Sequence, residues 1–185
     1  MNRTRLCFSI VMLSLAVLTS FRAEKPVEKE GIQWLTIEEA YAKVQQQPKK
    51  VMIDLYTDWC GWCKVMDRET FKNKAVIDYV NKNYYAVKLD AEQKEKITLG
   101  KQQFEYLSEG GRGINQIALA LTNNQPSFPT TIFLDDQFQM IQPLAGYLKP
   151  KEFHQVITFI GGDFHKKEAF ETYKSTTYAK LFQAK

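Results

Sequence analysis

"DLYTDWCGWCK", Asp54 to Lys64, is the stretch on which both fold and chemistry turn. It closes an apolar run, "KVMIDLYT" at 50–57, broken by a single acid, Asp54. A short, nearly continuous run of this kind is the pattern of a strand buried on both faces. A helix is expected to open just past it, at about Trp59. The pair Cys60 and Cys63 therefore sits where a strand hands over to a helix. A Cys-x-x-Cys pair there can be a redox dithiol, half of a metal site or a structural staple.

The neighbouring sequence extends the same alternation. Thr36 to Glu39 reads T-x-x-E, a capping box that opens a helix ending near Pro48. A short strand at 32–35 precedes it. Asn73 can cap a helix carrying Val76, Ile77 and Val80, and "YYAVKLD" at 84–90 is a second buried strand. The rhythm then breaks over 91–111, which fits neither a plain loop nor a long helix. Within it, "ITLGKQQFEY" reads as a hairpin turning at Gly100-Lys101. Ile114, Ile117, Ala118 and Leu121 recur at helical spacing. "TTIFLD" at 130–135 and "QMIQPLAG" at 139–146 are strands close enough to pair antiparallel, and Pro143 puts the second at an edge. Pro150 suits a helix first turn, with Phe153, Val156, Ile157 and Ile160 on one face and Gly161-Gly162 as its stop. The tail, 163–185, has weaker helical spacing, with Tyr178, Leu181 and Phe182 on one side. Strands alternating with helices predict an α/β sandwich with a parallel centre.

Length and composition fit this. The 185 residues favour one domain, and 44% hydrophobic with 25% charged residues is ordinary for a globular chain. Such a domain can bury a core without help from disulfides. Residues 1–23 read as a secretory signal peptide: Arg3 and Arg5, then an apolar run at 6–18 that is too short for a comfortable membrane span. Cys7 lies before that run and not after it, which argues against lipid attachment. Residues 24–31, "EKPVEKEG", read as a flexible leader. Cleavage after Ala23 removes Arg3, Arg5 and Arg22 and no acid, which lowers the formal charge from +4 to +1. A basic-patch argument for nucleic acid then fails. Of three cysteines only Cys60 and Cys63 remain, in a compartment where thiols tend to be oxidised.

A structural zinc site needs four ligands, and only His154 and His165 remain as further soft donors, with His154 expected on the polar side of its helix. Haem attachment needs His after the second Cys, where Lys64 stands. A staple closing two residues restricts little of the unfolded chain. The redox reading is favoured by the setting. A helix N-terminus offers unpaired N–H groups and a partial positive charge, which lower the pKa of a cysteine there. Cys60 would be the nucleophile. Cys63, one turn in and expected to be more buried, would resolve the mixed disulfide. No metal or organic cofactor is implied.

"DLYTDWCGWCK" resembles the active-site stretch of the thioredoxin superfamily, and is similar to the C-terminal thioredoxin-like domain of the bacterial transmembrane thiol-disulfide interchange protein. "SFPTTIFLD" resembles the family's cis-proline segment. "AGYLKPKEF" is similar to its final strand, glycine corner and last helix. The three matches run in the family's order over roughly 34–161. The resemblance implies a three-layer sandwich, a central mixed sheet flanked by helices over 32–162, with 91–111 inserted and a helical extension at 163–185. It implies that Asp54 is a buried acid able to relay a proton to Cys63. Lys88 would pair with Asp54 or run out to solvent, and Pro129 would be cis. Trp59, Gly61, Trp62, Phe128, Pro129 and Thr130 would line the partner groove, Trp59 packing on the active-site helix or in the core. Thioredoxins proper have Pro where this chain has Trp62, and Ile or Val where it has Phe128, which predicts a different groove and leaves reductant strength open. The insertion either helps choose the partner or is a surface elaboration of the kind loops accept.

The function expected is a secreted thiol–disulfide oxidoreductase, periplasmic in a two-membrane bacterium. It would be a monomer with no membrane span after cleavage, acting on cysteine-containing proteins and served by a membrane electron donor. A thioredoxin-fold binding module with an incidental disulfide is the alternative.

Overall fold

The structure, a computed structural model, describes residues 30–108 and 110–183. The expected signal peptide and nearly all of the expected leader lie outside the described residues.

The core is one five-stranded sheet in the order β1-β3-β2-β8-β9. These strands are Trp34–Leu35, Tyr85–Asp90, Val51–Tyr56, Thr130–Leu134 and Met140–Ala145. β1, β3 and β2 run parallel, and β8 and β9 are antiparallel to their neighbours, so the sheet is mixed. β2 is central and its first five residues are buried, as its continuous apolar run requires. β9 is the edge strand, where Pro143 sits without breaking an interior ladder.

Helices cover both faces. Ile53, Leu55, Val87, Leu89 and Ile132 face one way, onto α1 (Ile37–Gln46) and α4 (Gln116–Leu121). Met52, Ala86 and Phe133 face the other, onto α2 (Gly61–Glu69), α3 (Lys74–Asn83) and α5 (Pro150–Gly161). The expected three-layer sandwich is therefore present. The helix starts follow their caps. Thr36 and Glu39 close the predicted box, with Thr36 N–H donating to Glu39 Oε2 at 2.9 Å and Glu39 N–H to Thr36 Oγ1 at 3.2 Å. Asn73 Oδ1 accepts from the N–H groups of Ala75 and Val76.

The segment after β3 is anchored in the core at two points. It folds into a hairpin, β4 (Ile97–Leu99) and β5 (Gln102–Phe104), turning at Gly100-Lys101 as expected. A second short pair follows, β6 (Tyr106–Leu107) with β7 (Ile114–Asn115), so Ile114 belongs to a strand and not to the helix predicted from its spacing. Ile97 is fully buried and Phe104 nearly so, both within the core on the α1 side. Asn115, also fully buried, ties the segment down. Its Nδ2 donates to the Gln93 and Glu95 carbonyls, and its Oδ1 accepts from Ile117 N–H at the start of α4.

The extension after α5 is helical but irregular. A short 3₁₀ turn, Phe164–Lys166, leads to one α-helical turn, Phe170–Thr172, and then to wider π-helical turns, Tyr173–Thr177 and Ala179–Gln183. Tyr173 and Tyr178 are buried, whereas Leu181 and Phe182 are largely exposed. His154 corrects the sequence reading: it is 8% exposed, and its Nδ1 lies 2.9 Å from the Tyr178 hydroxyl. The helical wheel puts His154 beside the apolar stripe, and the extension covers it.

Candidate active site

The sulfurs stand at the start of α2. The helix begins at Gly61, two residues later than predicted, and Cys60 is its N-cap. Cys60 Sγ accepts the Cys63 N–H at 3.1 Å, so the sulfur itself satisfies one of the orphan donors of the helix terminus. Cys60 and Cys63 form a disulfide. Cys63 is not distinctly more buried than Cys60: they are 2% and 4% exposed. Gly61 has open space where a side chain would stand, and Trp62 beyond it is 61% exposed.

The strand register assembles the groups on the α2 side of the sheet. Asp54 lies opposite Lys88 on β3 and Thr131 on β8, and laterally paired residues share a face. Lys88 Nζ meets Asp54 Oδ2 at 2.5 Å, so it is paired and not extended into solvent. It also meets Asp67 Oδ1 of α2. Its ammonium stands over the rings of Tyr56, Trp34 and Phe71 at 4.8, 5.4 and 5.4 Å from their centroids. Asp54 is 1% exposed, and its Oδ1 has no hydrogen-bond partner. Burial pushes the Asp54 carboxyl up to about 6, against the pull of Lys88 and with a smaller push from Asp67. Burial works to lower the Lys88 ammonium, but the two carboxylates outweigh it and leave it raised.

Phe128–Pro129 is the cis peptide bond the resemblance implies. The Pro129 carbonyl accepts the Gly146 N–H at 2.8 Å, and Gly146 turns the corner after β9 with φ of +98°, a conformation natural to glycine. Trp62, Phe128, Pro129, Gly146 and Tyr147 line a groove of about 200 Å³. Trp62 stacks on Tyr147 with ring centroids 5.4 Å apart. A larger concavity of about 1340 Å³ lies against Phe71, Asn81 and Glu30, where the described chain begins, and none of these groups borders it except Phe71.

Trp59 is not a core residue. It is 51% exposed and meets Phe128 edge-on at 5.8 Å. Its indole N–H donates to Glu92 Oε1 at 2.9 Å, and the Arg112 guanidinium lies 4.9 Å from its ring and 3.5 Å from the same Glu92 oxygen. Thr130 also departs from the expectation. Its side chain is 2% exposed and donates to the Ser127 carbonyl at 2.7 Å, so it braces the turn before β8 and offers no surface.

Asp67, Tyr147, Glu92 and Arg112 are the residues that sequence reading passed over. For Asp67 a signal exists: it follows Cys63 by four residues, one helical turn on, and so shares its inward face. Among the described residues, no cluster of three or more His, Cys, Asp or Glu is arranged to hold a metal ion.

The family model Thioredox_DsbH, "Protein of unknown function, DUF255", matches residues 21–177. The chain belongs to the Thioredox_DsbH family. An uncharacterized protein of Caenorhabditis elegans, B0495.5, is 30% identical over 76 residues, which are 41% of this chain and 10% of that protein. The chain spans about a tenth of the length of the curated relatives it matches. Among solved structures, one described as "DsbH Oxidoreductase" superposes with a TM-score of 0.51 at 18% identity, over 75% of this chain and 90% of that one. A thioredoxin-fold protein from Helicobacter pylori gives 0.53 at 20% identity, over 77% and 96%. These likenesses are of fold: this Thioredox_DsbH chain has the thioredoxin fold.

Proposed function

We propose that this chain is a thiol–disulfide oxidoreductase working outside the cytosol, as a reductant of cysteine-containing partner proteins. The observation that carries the reading is the placement of Cys60. Its sulfur caps α2, takes the Cys63 N–H, and belongs to the helix whose inner face meets a buried acid–lysine pair.

The chemistry follows from that placement. In the reduced protein the helix terminus favours the Cys60 thiolate. That thiolate attacks one sulfur of a partner disulfide. A bond forms between Cys60 and that sulfur, the partner bond breaks, and the other partner sulfur leaves as a thiolate that takes up a proton. Asp54 then accepts the proton of the Cys63 thiol, directly or through water. The Cys63 thiolate attacks Cys60 Sγ, the mixed disulfide breaks, the released partner sulfur leaves as a thiolate that takes up a proton, and the partner departs as a dithiol. Two electrons pass to the partner, and the Cys60–Cys63 disulfide remains. A dithiol donor must restore it; a membrane-held donor suits the expected secretory leader and a periplasmic site in a two-membrane bacterium. Phe128, Pro129, Trp62 and Tyr147 would receive the partner segment beside the sulfurs.

Insulin turbidity with dithiothreitol tests this. Wild type should accelerate precipitation, and Cys60→Ser should fall to the uncatalysed rate. Equal curves would instead support a binding module, a reading favoured by the exposure of Trp62 above its groove. Equilibration with glutathione tests direction: a potential near or below about −270 mV marks a reductant, and one near −120 mV an oxidant.

A further inference from the structure

Lys88 is shared. Its Nζ bonds Asp54 of β2 and Asp67 of α2, two carboxylates in opposite settings: the Asp54 side chain is 2% exposed and that of Asp67 46%. One ammonium cannot neutralise both. Paired with Lys88 alone, Asp54 would hold its carboxylate form more firmly and would give and take its proton at a lower pH. A second carboxylate on the same nitrogen adds repulsion and draws the lysine partway off. The free Oδ1 of Asp54, buried and without a partner, is where a proton can sit.

We propose that Asp67 is a positioning residue of the exchange reaction: by dividing Lys88 between two carboxylates it moves upward the pH at which Asp54 gives and takes its proton. The role rests on the exchange reading above. The surroundings leave few competitors. β1 and β8 present Trp34 and Thr131, which carry no charge, and the segment after α2 presents Phe71. β2 adds Tyr56, whose hydroxyl is raised by burial and by Asp90 and Asp58, so it is neutral. On α2, Cys63 and Met66 are buried and Lys64, Arg68 and Glu69 are exposed. Reduction adds the Cys63 thiol as one further titrating group.

Carbon-13 titration of the Asp54 carboxyl in the oxidised full chain tests the proposal without reference to turnover. Asp67→Asn removes a repulsion and weakens the competing hold on Lys88, since a neutral amide oxygen accepts less strongly than a carboxylate, and both changes favour the Asp54 carboxylate. The Asp54 midpoint should fall by about half a unit or more, roughly a threefold change in proton affinity. Asp67→Glu should keep it near the wild-type value, and Asp67→Ser is a second neutral variant if Asn folds poorly. The pH profile of insulin reduction should move acidward by the same step in the neutral variants and return with Glu. An Asp54 midpoint that stays put overturns the proposal. So does one that rises, since Lys88 would then have left with Asp67. If wild type shows no exchange at any pH, the exchange reading fails and takes the role with it; if exchange is intact and the titration unmoved, Asp67 alone is exonerated.

Discussion

Asp54 is a carboxyl placed where a carboxyl is expensive, and its raised proton affinity has a consequence for stability. An unfolded Asp titrates near about 3.9, against about 6 in the folded chain. The folded state therefore holds the proton more tightly. The stability contributed is fully present below the unfolded value and is lost as pH rises through about 6, a difference on the order of 3 kcal/mol at neutral pH. Asp54→Asn imitates the protonated form and leaves Lys88 its Asp67 partner. The variant should gain about 1–2 kcal/mol at pH 7, a rise in thermal midpoint of several degrees, and little at pH 4. Exchange should slow at least about tenfold, because the proton acceptor is gone. Thermal melts at the two pH values check the first part; a variant no more stable at pH 7 than wild type would mean that burial is not what strains Asp54. Sequence alone marks Asp54 and Lys88 as candidates through the resemblance, but their pairing follows from register, in which the two stand side by side on adjacent parallel strands. The third member is harder to read, because Asp67 reaches Lys88 only through the rotation and docking of α2 on the sheet.

The elements that were legible are those with long apolar runs or caps: β2, β3 and β8, and α1, α3 and α5 with their Thr36, Asn73 and Pro150 starts. The segment between β3 and α4 was legible only at its turn, since strands of two or three residues carry no usable period. Nothing in its sequence announced that Ile97 and Phe104 enter the core, and their burial decides how its role can be tested. Removing residues 92–110 would strip two core side chains and unfold the domain, confounding any kinetic reading. The clean probes are the residues that hold Trp59. Arg112→Ala removes the cation over the ring and Glu92→Ala removes the acceptor of the indole N–H, and neither touches Cys60. If the segment presents Trp59 to partners, these variants should raise KM for a protein disulfide several-fold and leave turnover at saturation, and oxidation by a small disulfide, unchanged. Steady-state kinetics with insulin and with hydroxyethyl disulfide separate the cases. Equal losses with both substrates would mean that the contact serves the chemistry or the fold and not partner choice.

At the scale of the molecule, the C-terminal extension closes the α3–α5 side through aromatic packing. Tyr173 meets Phe159 and Phe164 at 5.1 and 4.9 Å, and His154 is ringed by Tyr79, Tyr178 and Phe182 at 5.8, 5.7 and 5.2 Å. None of these rings carries charge at neutral pH, so burial lowers the proton affinity of His154 with nothing to oppose it. The unfolded chain then takes this proton first as pH falls below about 6.5. Stability from a neutral buried His is complete above that pH and declines beneath it until the folded state also protonates. Asp54 acts in the opposite sense over part of the same range, so the net profile of the wild type is flatter than either group alone would make it. His154→Gln isolates the histidine: its amide can still bond the Tyr178 hydroxyl but cannot titrate. Urea unfolding from pH 7.5 to 5 should show wild type losing stability relative to this variant as the medium acidifies, with the difference smallest at the alkaline end. Truncation after Gly162 should cost at least about 3 kcal/mol, because it exposes the aromatic seat that two buried tyrosines now fill. It should also abolish most of the His154 effect, since the ring would then be solvated in both states. Parallel curves for wild type and His154→Gln would show that the extension, and not proton uptake by His154, governs how this face answers to pH.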